Sequence, residues 1–312
     1  MRLGLPFRLN HVNVWLLKDG DGWAIVDTGL GAQFTQDIWE RVFAEDLQGA
    51  KPTCIICTHY HPDHMGCAGW LVEKYGVPFY APLTEWAFGR MISLVPDDSY
   101  TQVTRNYYSR FGLSGERFDE VIKYGNHYAR NVTPLPTQIN RLRQGDRLTI
   151  GGKDWLTIIH GGHTPEHACL YNAADNILIA GDQILPFISP NISVSFYDML
   201  ADPLTDYFTS LRAIKLLSPE TLTLPSHGIP FRKLHLRVQQ LEEHHAERLK
   251  AVEDFCTAER SAAEIMDMLF PQQLDAHQLM FAIGEAAAHA NHLVMRGKLQ
   301  RTETEIITYK TA

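Results

Sequence analysis

Thr58-His59-Tyr60-His61-Pro62-Asp63-His64 puts four metal-binding side chains within six residues. The run before it, Thr53-Cys54-Ile55-Ile56-Cys57-Thr58, is a short apolar strand pattern, and Ala68 to Tyr75 after it begins a helix. The stretch therefore lies on a strand-to-helix loop. His59 and His61, two apart in an extended segment, point the same way. Asp63 and His64 lie past the proline turn and reach a neighbouring position, so one loop can serve two adjacent cations. A merely polar loop is the weaker reading, because three more ligand-type residues recur downstream in similar loops.

The first is in His160-Gly161-Gly162-His163-Thr164-Pro165-Glu166-His167, between the strand patterns at 146–160 and 168–181. Glycines let backbone pass close to a site, and His163 is the candidate ligand. His167 is read either as a hydrogen-bonding or substrate-facing group or as structural, and His160 as structural. The second is Gly181-Asp182-Gln183, where a carboxylate at a strand end can bridge two cations with its two oxygens. The third is Pro225-Ser226-His227-Gly228, after a strand at 221–224. Upstream, strands at 11–17 and 23–27 flank the turn Lys18-Asp19-Gly20-Asp21-Gly22. They end in Asp27-Thr28-Gly29, and Asp27 either orients a ligand histidine or caps the turn.

A chain of 312 residues, 45% hydrophobic, supports one large domain, or a domain plus an accessory segment. Its net charge of −8 gives no general attraction to nucleic acid. No apolar stretch approaches the roughly 18 residues of a membrane span, and the N-terminus lacks the features of a secretory signal. Five cysteines, with Cys54 and Cys57 on opposite faces of a strand, fit reduced thiols and a cytoplasmic setting. A helix at 33–47 and strands at 53–58 and 77–81 give a βαβ rhythm. Residues 84–140 break it with two or three helices rich in Tyr and Arg. After Phe231 the periodicity is helical, over 235–256, 261–269 and 275–296, and the chain ends in a hairpin. His244 and His245 read as solvent-facing.

These motifs resemble the metallo-β-lactamase superfamily: T-H-x-H-x-D-H at 58–64, G-H-T at 162–164, G-D at 181–182 and S-H-G at 226–228. The resemblance covers roughly 1–83 and 144–231. It implies an α/β fold, an αββα sandwich with the metals at one edge. Residues 1–231 would form that domain, with 84–140 as a helical lid insertion. Residues 232–312 would form a C-terminal helical, winged-helix-like extension. His59, His61 and His163 are implied as ligands of one cation, Asp63, His64 and His227 of a second, and Asp182 as the bridge. Within the superfamily, the D-T-G hairpin and G-H-T-x-x-H resemble the glyoxalase II group, and the tail resembles lactamase-beta-like 2 relatives. Glyoxalase II proteins lack an insertion of this kind and use a different C-terminal glutathione site, so their substrate does not carry over.

The chemistry expected is hydrolysis of a thioester, ester or lactone by a metal-bridging hydroxide. Asp63 holds the second cation and accepts a proton, and His167 is the other catalytic candidate. The nitrogen and oxygen ligands suit two divalent ions, zinc first, with iron or manganese as alternatives. Arg90, Arg105, Arg110, Arg117 and Arg130 of the insertion would favour an anionic small molecule, such as a coenzyme A or glutathione thioester. Neither a nucleic acid nor a membrane is expected as partner, and the tail offers a surface for a homodimer. A phosphodiesterase or ribonuclease is opposed by the acidic chain. An iron-dependent oxygen-using enzyme is opposed by the full second ligand set, and a non-catalytic binding protein by the intact ligands.

Overall fold

The computed structural model describes residues 1–312. A short antiparallel pair, β1 (Arg2–Gly4) and β2 (His11–Asn13), precedes the hairpin β3 (Trp15–Asp19) and β4 (Gly22–Val26). Helix α1 (Gln33–Arg41) runs on through a π-turn to Asp46 and returns the chain to β5 (Pro52–Ile56). A single turn, α2 (Pro62–Met65), then α3 (Ala68–Tyr75) and β6 (Phe79–Pro82) complete the βαβ rhythm. The insertion supplies four helices where the periodicity suggests two or three: α4 (Leu83–Leu94), α5 (Asp97–Arg110), α6 (Gly115–Tyr124) and α7 (His127–Arg130). β7 (Asn140–Leu142) then closes a sheet of order β3-β4-β5-β6-β7, parallel except for β3.

The second sheet contains β8 (Arg147–Ile150), β9 (Lys153–His160), β10 (His167–Asn172) and β11 (Ile177–Gly181). After α8 (Pro203–Ile214) it gains β12 (Leu222–Pro225), giving the order β12-β11-β10-β9-β8. Period-2 alternation sorts its side chains. Ala168, Leu170 and Ile179 join Ala24, Val26 and Ile56 of the first sheet in one buried cluster. At the alternate positions, Cys169, Leu178 and Ala180 form a separate cluster on the outer face. Trp39 of α1 and Leu71 of α3 cover the far side of the first sheet against Ile25 and Ile55. The helix α8 and the start of α9 (Leu234–Phe255) pair through Tyr207, Leu211, Val238 and Leu241 and form the other outer layer. The order of layers is αββα.

Beyond α9 come β13 (Arg260–Ser261), α10 (Ala262–Leu269), α11 (Ala276–Met295), β14 (Leu299–Glu303) and β15 (Ile307–Thr311), with a small antiparallel sheet, β13-β15-β14, beside the helices. Both α10 and α11 open with capping boxes, Ser261/Glu264 and Asp275/Gln278. The largest apolar cluster of the molecule lies here. It joins Tyr107, Tyr108, Phe111, Val121 and Ile122 of the insertion to Ile265, Met266, Ile283, Ala287 and Tyr309. The insertion is therefore anchored in the C-terminal helices.

His245 is fully buried, which corrects the solvent-facing expectation. Its ring packs on Tyr207 and Phe208, and its Nδ1 lies 3.2 Å from His289 Nε2. The polar-looking face of α9 is turned toward α8 and α11, and a chain of hydrogen bonds satisfies the imidazoles there. All five cysteines are free, with Cys54 and Cys57 in different clusters on opposite faces. No helix is long and apolar enough to cross a membrane.

Candidate metal centre

All seven side chains singled out as ligands converge at the ends of β5, β9, β11 and β12. His59 and His61 follow β5, and Asp63 and His64 lie on α2. His59 Nε2 is 3.0 Å from His61 Nδ1 and 3.3 Å from His163 Nε2. Asp63 Oδ2 is 3.5 Å from His64 Nε2 and 3.4 Å from His227 Nε2. Asp182 stands between the groups. Its Oδ1 is 3.5 and 3.3 Å from His64 and His227, and its Oδ2 is 3.6 Å from His163. The two groups, His59/His61/His163/Asp182 and Asp63/His64/His227, each hold their ligand atoms within 4.8 Å of one another. Ligands about 2.0–2.1 Å from a tetrahedral ion are about 3.3 Å apart, so the observed separations fit. The buried His64 Nε2 and Asp182 Oδ1 have no hydrogen-bond partner. Such atoms are costly to leave bare, and a cation would satisfy both.

Four of the five imidazoles are oriented from behind. The Nδ1–H of His163 donates to the Asn191 carbonyl at 2.8 Å, and that of His227 to the His11 carbonyl at 2.7 Å. His64 Nδ1 donates to Asp27 Oδ2 at 2.9 Å. His59 Nδ1 lies 3.0 Å from Thr58 Oγ, whose hydroxyl donates to the Asp27 carboxylate. Those four rings therefore aim Nε2 at the site, and His61 aims Nδ1. Asp27 also accepts the Thr58 N–H at 2.8 Å. It thus ties a ligand histidine to the strand end at Thr58 rather than capping its own turn, from a left-handed backbone at φ +62°.

His167 is fully buried. Its Nε2 accepts the Asp182 N–H at 3.1 Å, and its ring stacks on His59 with centroids 4.8 Å apart. A Cβ on Gly181, at φ +52°, would come within 2.5 Å of that ring, so the glycine is what lets Asp182 sit over His167. His167 is placed behind the bridge rather than at the mouth. Gly162, at φ +107°, meets the Tyr207 backbone just as closely.

Charge divides the site in two. Burial, with neighbouring imidazoles adding to it, holds His59 well below its usual pKa. Burial and then His163 lower His61 to about 3. Burial would lower His227 too, but the carboxylates of Asp182 and Asp63 raise it to about 10. His64 rises in the same way, against burial, through Asp63, Asp182 and Asp27. Burial would raise Asp63 and Asp182, yet the facing histidines hold both carboxyls well below the ordinary range.

Several residues at the site carry no motif. Asn191 supplies the carbonyl to His163 and ties its side-chain amide to Phe281 O and Glu285 at 3.4 Å each. Glu85, in the first turn of α4, is completely buried beside the ligand loops. At the mouth, Phe7 stacks on His277 of α11 at 4.6 Å, and Phe281 packs on the same ring at 5.0 Å. Tyr60 lies beside His61, and Phe88 stacks on Tyr197.

Most of the arginines nominated for substrate are engaged elsewhere. Arg90 donates to the Leu135 and Pro136 carbonyls, Arg105 lies over Phe118, Arg117 pairs with Asp267, and Arg130 binds Tyr124 O and Asp97. Four anchored helices need such ties, and the charge goes to holding the insertion together.

A family model described as the metallo-beta-lactamase superfamily matches residues 8–227, and one described as the metallo-beta-lactamase-like C-terminal domain matches 249–312. A beta-lactamase domain protein from Burkholderia ambifaria has a similar structure, with a TM-score of 0.93 and 38% identity, covering 100% of this chain and 91% of that one. A metallo-beta-lactamase family protein from Thermus thermophilus superposes with a TM-score of 0.85 at 27% identity, covering 100% and 97%. The acyl-coenzyme A thioesterase MBLAC2 of Gallus gallus is 26% identical over 56% of this chain and 58% of its own length.

Proposed function

The chain belongs to the metallo-beta-lactamase superfamily, and on that premise we propose that it hydrolyses an acyl thioester, ester or lactone at a centre of two divalent cations. His59, His61 and His163 would hold one cation, Asp63, His64 and His227 the other, and Asp182 both. The observation that carries this reading is Asp182: one oxygen faces each ligand group. When bound, the cations would acidify a water between them and polarise the scissile carbonyl. Zinc suits the ligand set, with iron and manganese as the alternatives.

The remaining roles belong to the chain. Asp27, Asn191 and His11 fix the imidazole tautomers. Asp63, with its side chain one-fifth exposed, is the carboxylate that meets the mouth, and we assign it the proton released by the attacking water. His167 supports the Asp182 backbone. The division after Phe231 into a sandwich domain and a C-terminal extension is part of the same proposal, with the start of α9 packed back on α8 and 84–140 bracing the C-terminal helices as it walls the mouth. Phe7, Tyr60, Phe88, Tyr197 and His277, together with the exposed Phe187 and Ile229 beside His227, favour an apolar acyl group. The Gallus gallus relative is an acyl-coenzyme A thioesterase, which supports a coenzyme A thioester as the substrate. Free thiols support a reducing compartment.

Metal analysis of the purified protein, followed by acyl-coenzyme A and glutathione thioesters, lactones, aryl esters and phosphodiesters, tests the proposal. Two metals per chain and turnover of carbonyl substrates are expected. Turnover of phosphodiesters alone would overturn the substrate class.

A further inference from the structure

Glu85 is a buried carboxylate outside the ligand set. Its two oxygens each accept one backbone N–H, and the two donors belong to different ligand loops. Oε2 accepts from Tyr60 at 3.0 Å, between His59 and His61. Oε1 accepts from Glu166 at 2.7 Å, between His163 and His167. The tie is reciprocal, because the Glu166 carboxylate accepts the Thr84 N–H at 2.9 Å. Both carboxylates also sit at the N-terminus of α4, where the helix dipole favours negative charge. Burial pushes the Glu85 carboxyl up to about 7, against the pull of the two N–H bonds. An apolar side chain could fill the same volume. What the carboxylate adds is two acceptors at fixed separation, one for each of the two loop amides.

That separation matters because the loops it joins carry the three-histidine group, in which His59 and His163 approach to 3.3 Å. The other group is held by different means: Asp27 behind His64 and the His11 carbonyl behind His227. We infer that Glu85 is a positioning residue for the three-histidine half of the centre, acting through the Tyr60 and Glu166 amides to set the spacing of His59, His61 and His163. The inference rests on the reading of these side chains as metal ligands.

The test separates the halves. In the full chain, His227→Ala leaves the three-histidine group as the stronger site, and His61→Ala leaves the Asp63/His64/His227 group. Glu85→Gln is nearly isosteric but turns one acceptor into a donor that opposes an amide N–H. It is placed in each background, and Glu85→Ala serves as the second variant. Zinc affinity is read by competition with a chromophoric chelator, and geometry by the visible spectrum of the cobalt(II) forms. In the His227→Ala background, Glu85→Gln should weaken zinc roughly 10–100-fold and alter the cobalt spectrum. In the His61→Ala background, affinity and spectrum should stay unchanged. Equal losses in both backgrounds would make Glu85 a general structural residue and overturn the inference, as would no loss in the first. Wild-type protein that takes up no metal is a separate result and would remove the metal-centre reading itself.

Discussion

The three-histidine half of the centre and the Asp63/His64/His227 half share the Asp182 carboxylate but hold their charge in opposite ways. On the first side burial keeps His59, His61 and His163 below their usual pKa, so it presents neutral lone pairs already pointed inward. On the second side His64 and His227 sit among Asp27, Asp63 and Asp182, whose carboxylates raise both imidazoles above their usual pKa and so favour their protonated forms in the metal-free protein. Protons there occupy the electrostatic place of a cation. Filling the first side is thus a matter of geometry, and filling the second is an exchange of protons for metal.

Asp182→Ala should break the comparison outright. It removes the anion that lets two like charges sit close together, so metal on both sides and kcat/KM should fall by more than the roughly 10–100-fold that a supporting residue contributes. Two metals retained at wild-type affinity would end the bridging assignment. Asp27→Asn should act chiefly on the second side, which it touches directly through His64, and less on the first, which it reaches only through Thr58 and His59. It leaves His64 Nδ1–H facing an amide, and zinc affinity of the Asp63/His64/His227 group should drop roughly 10–100-fold, with the three-histidine group little changed. An even loss would show that Asp27 supports the whole loop.

A pH series sharpens the contrast. The folded pKa of His227, about 10, lies above its ordinary value of 6.5. Its contribution to metal-free stability is therefore fully present below pH 6.5 and lost as pH rises through about 10. The melting temperature of chelated protein should fall over that window, and zinc-loaded protein should show a smaller slope. Apparent zinc affinity should rise with pH as the competing proton leaves. A flat chelated profile would refute the charge assignment. The smallest effect concerns the insertion: Arg117→Ala, which removes an exposed pair with Asp267, should change stability by about 0.2–1 kcal/mol and leave KM for anionic thioesters unmoved. A raised KM would return that arginine to the substrate.

What can be read from the sequence is what local spacing encodes. The ligand loop follows a strand of clear apolar pattern, and His163, Asp182 and His227 each lie just past a strand end, so their convergence follows once the strands are paired. The αββα layering follows from the alternation of Ala168/Leu170 with Cys169. Glu85 and Asn191 carry no local signal. Their partners, Tyr60 and Glu166, His163 and Glu285, are far away in the chain, and an acid in a first helical turn looks like ordinary capping. His245 escapes the pattern because a polar face counts as outward only until a second helix covers it. The arginines of the insertion escape it because composition reports charge and says nothing about which partner takes it.

The cluster shared by the insertion and the C-terminal helices sets a schedule for the chain as it is made. Tyr107, Tyr108, Phe111, Val121 and Ile122 leave the ribosome roughly 140 residues ahead of the helices that cover them, which at about 5–20 residues per second is on the order of 10–30 s. Through that interval the nascent protein carries an aromatic surface with nothing to lie against, and the insertion cannot finish packing until the helices at 262–269 and 276–295 have been added.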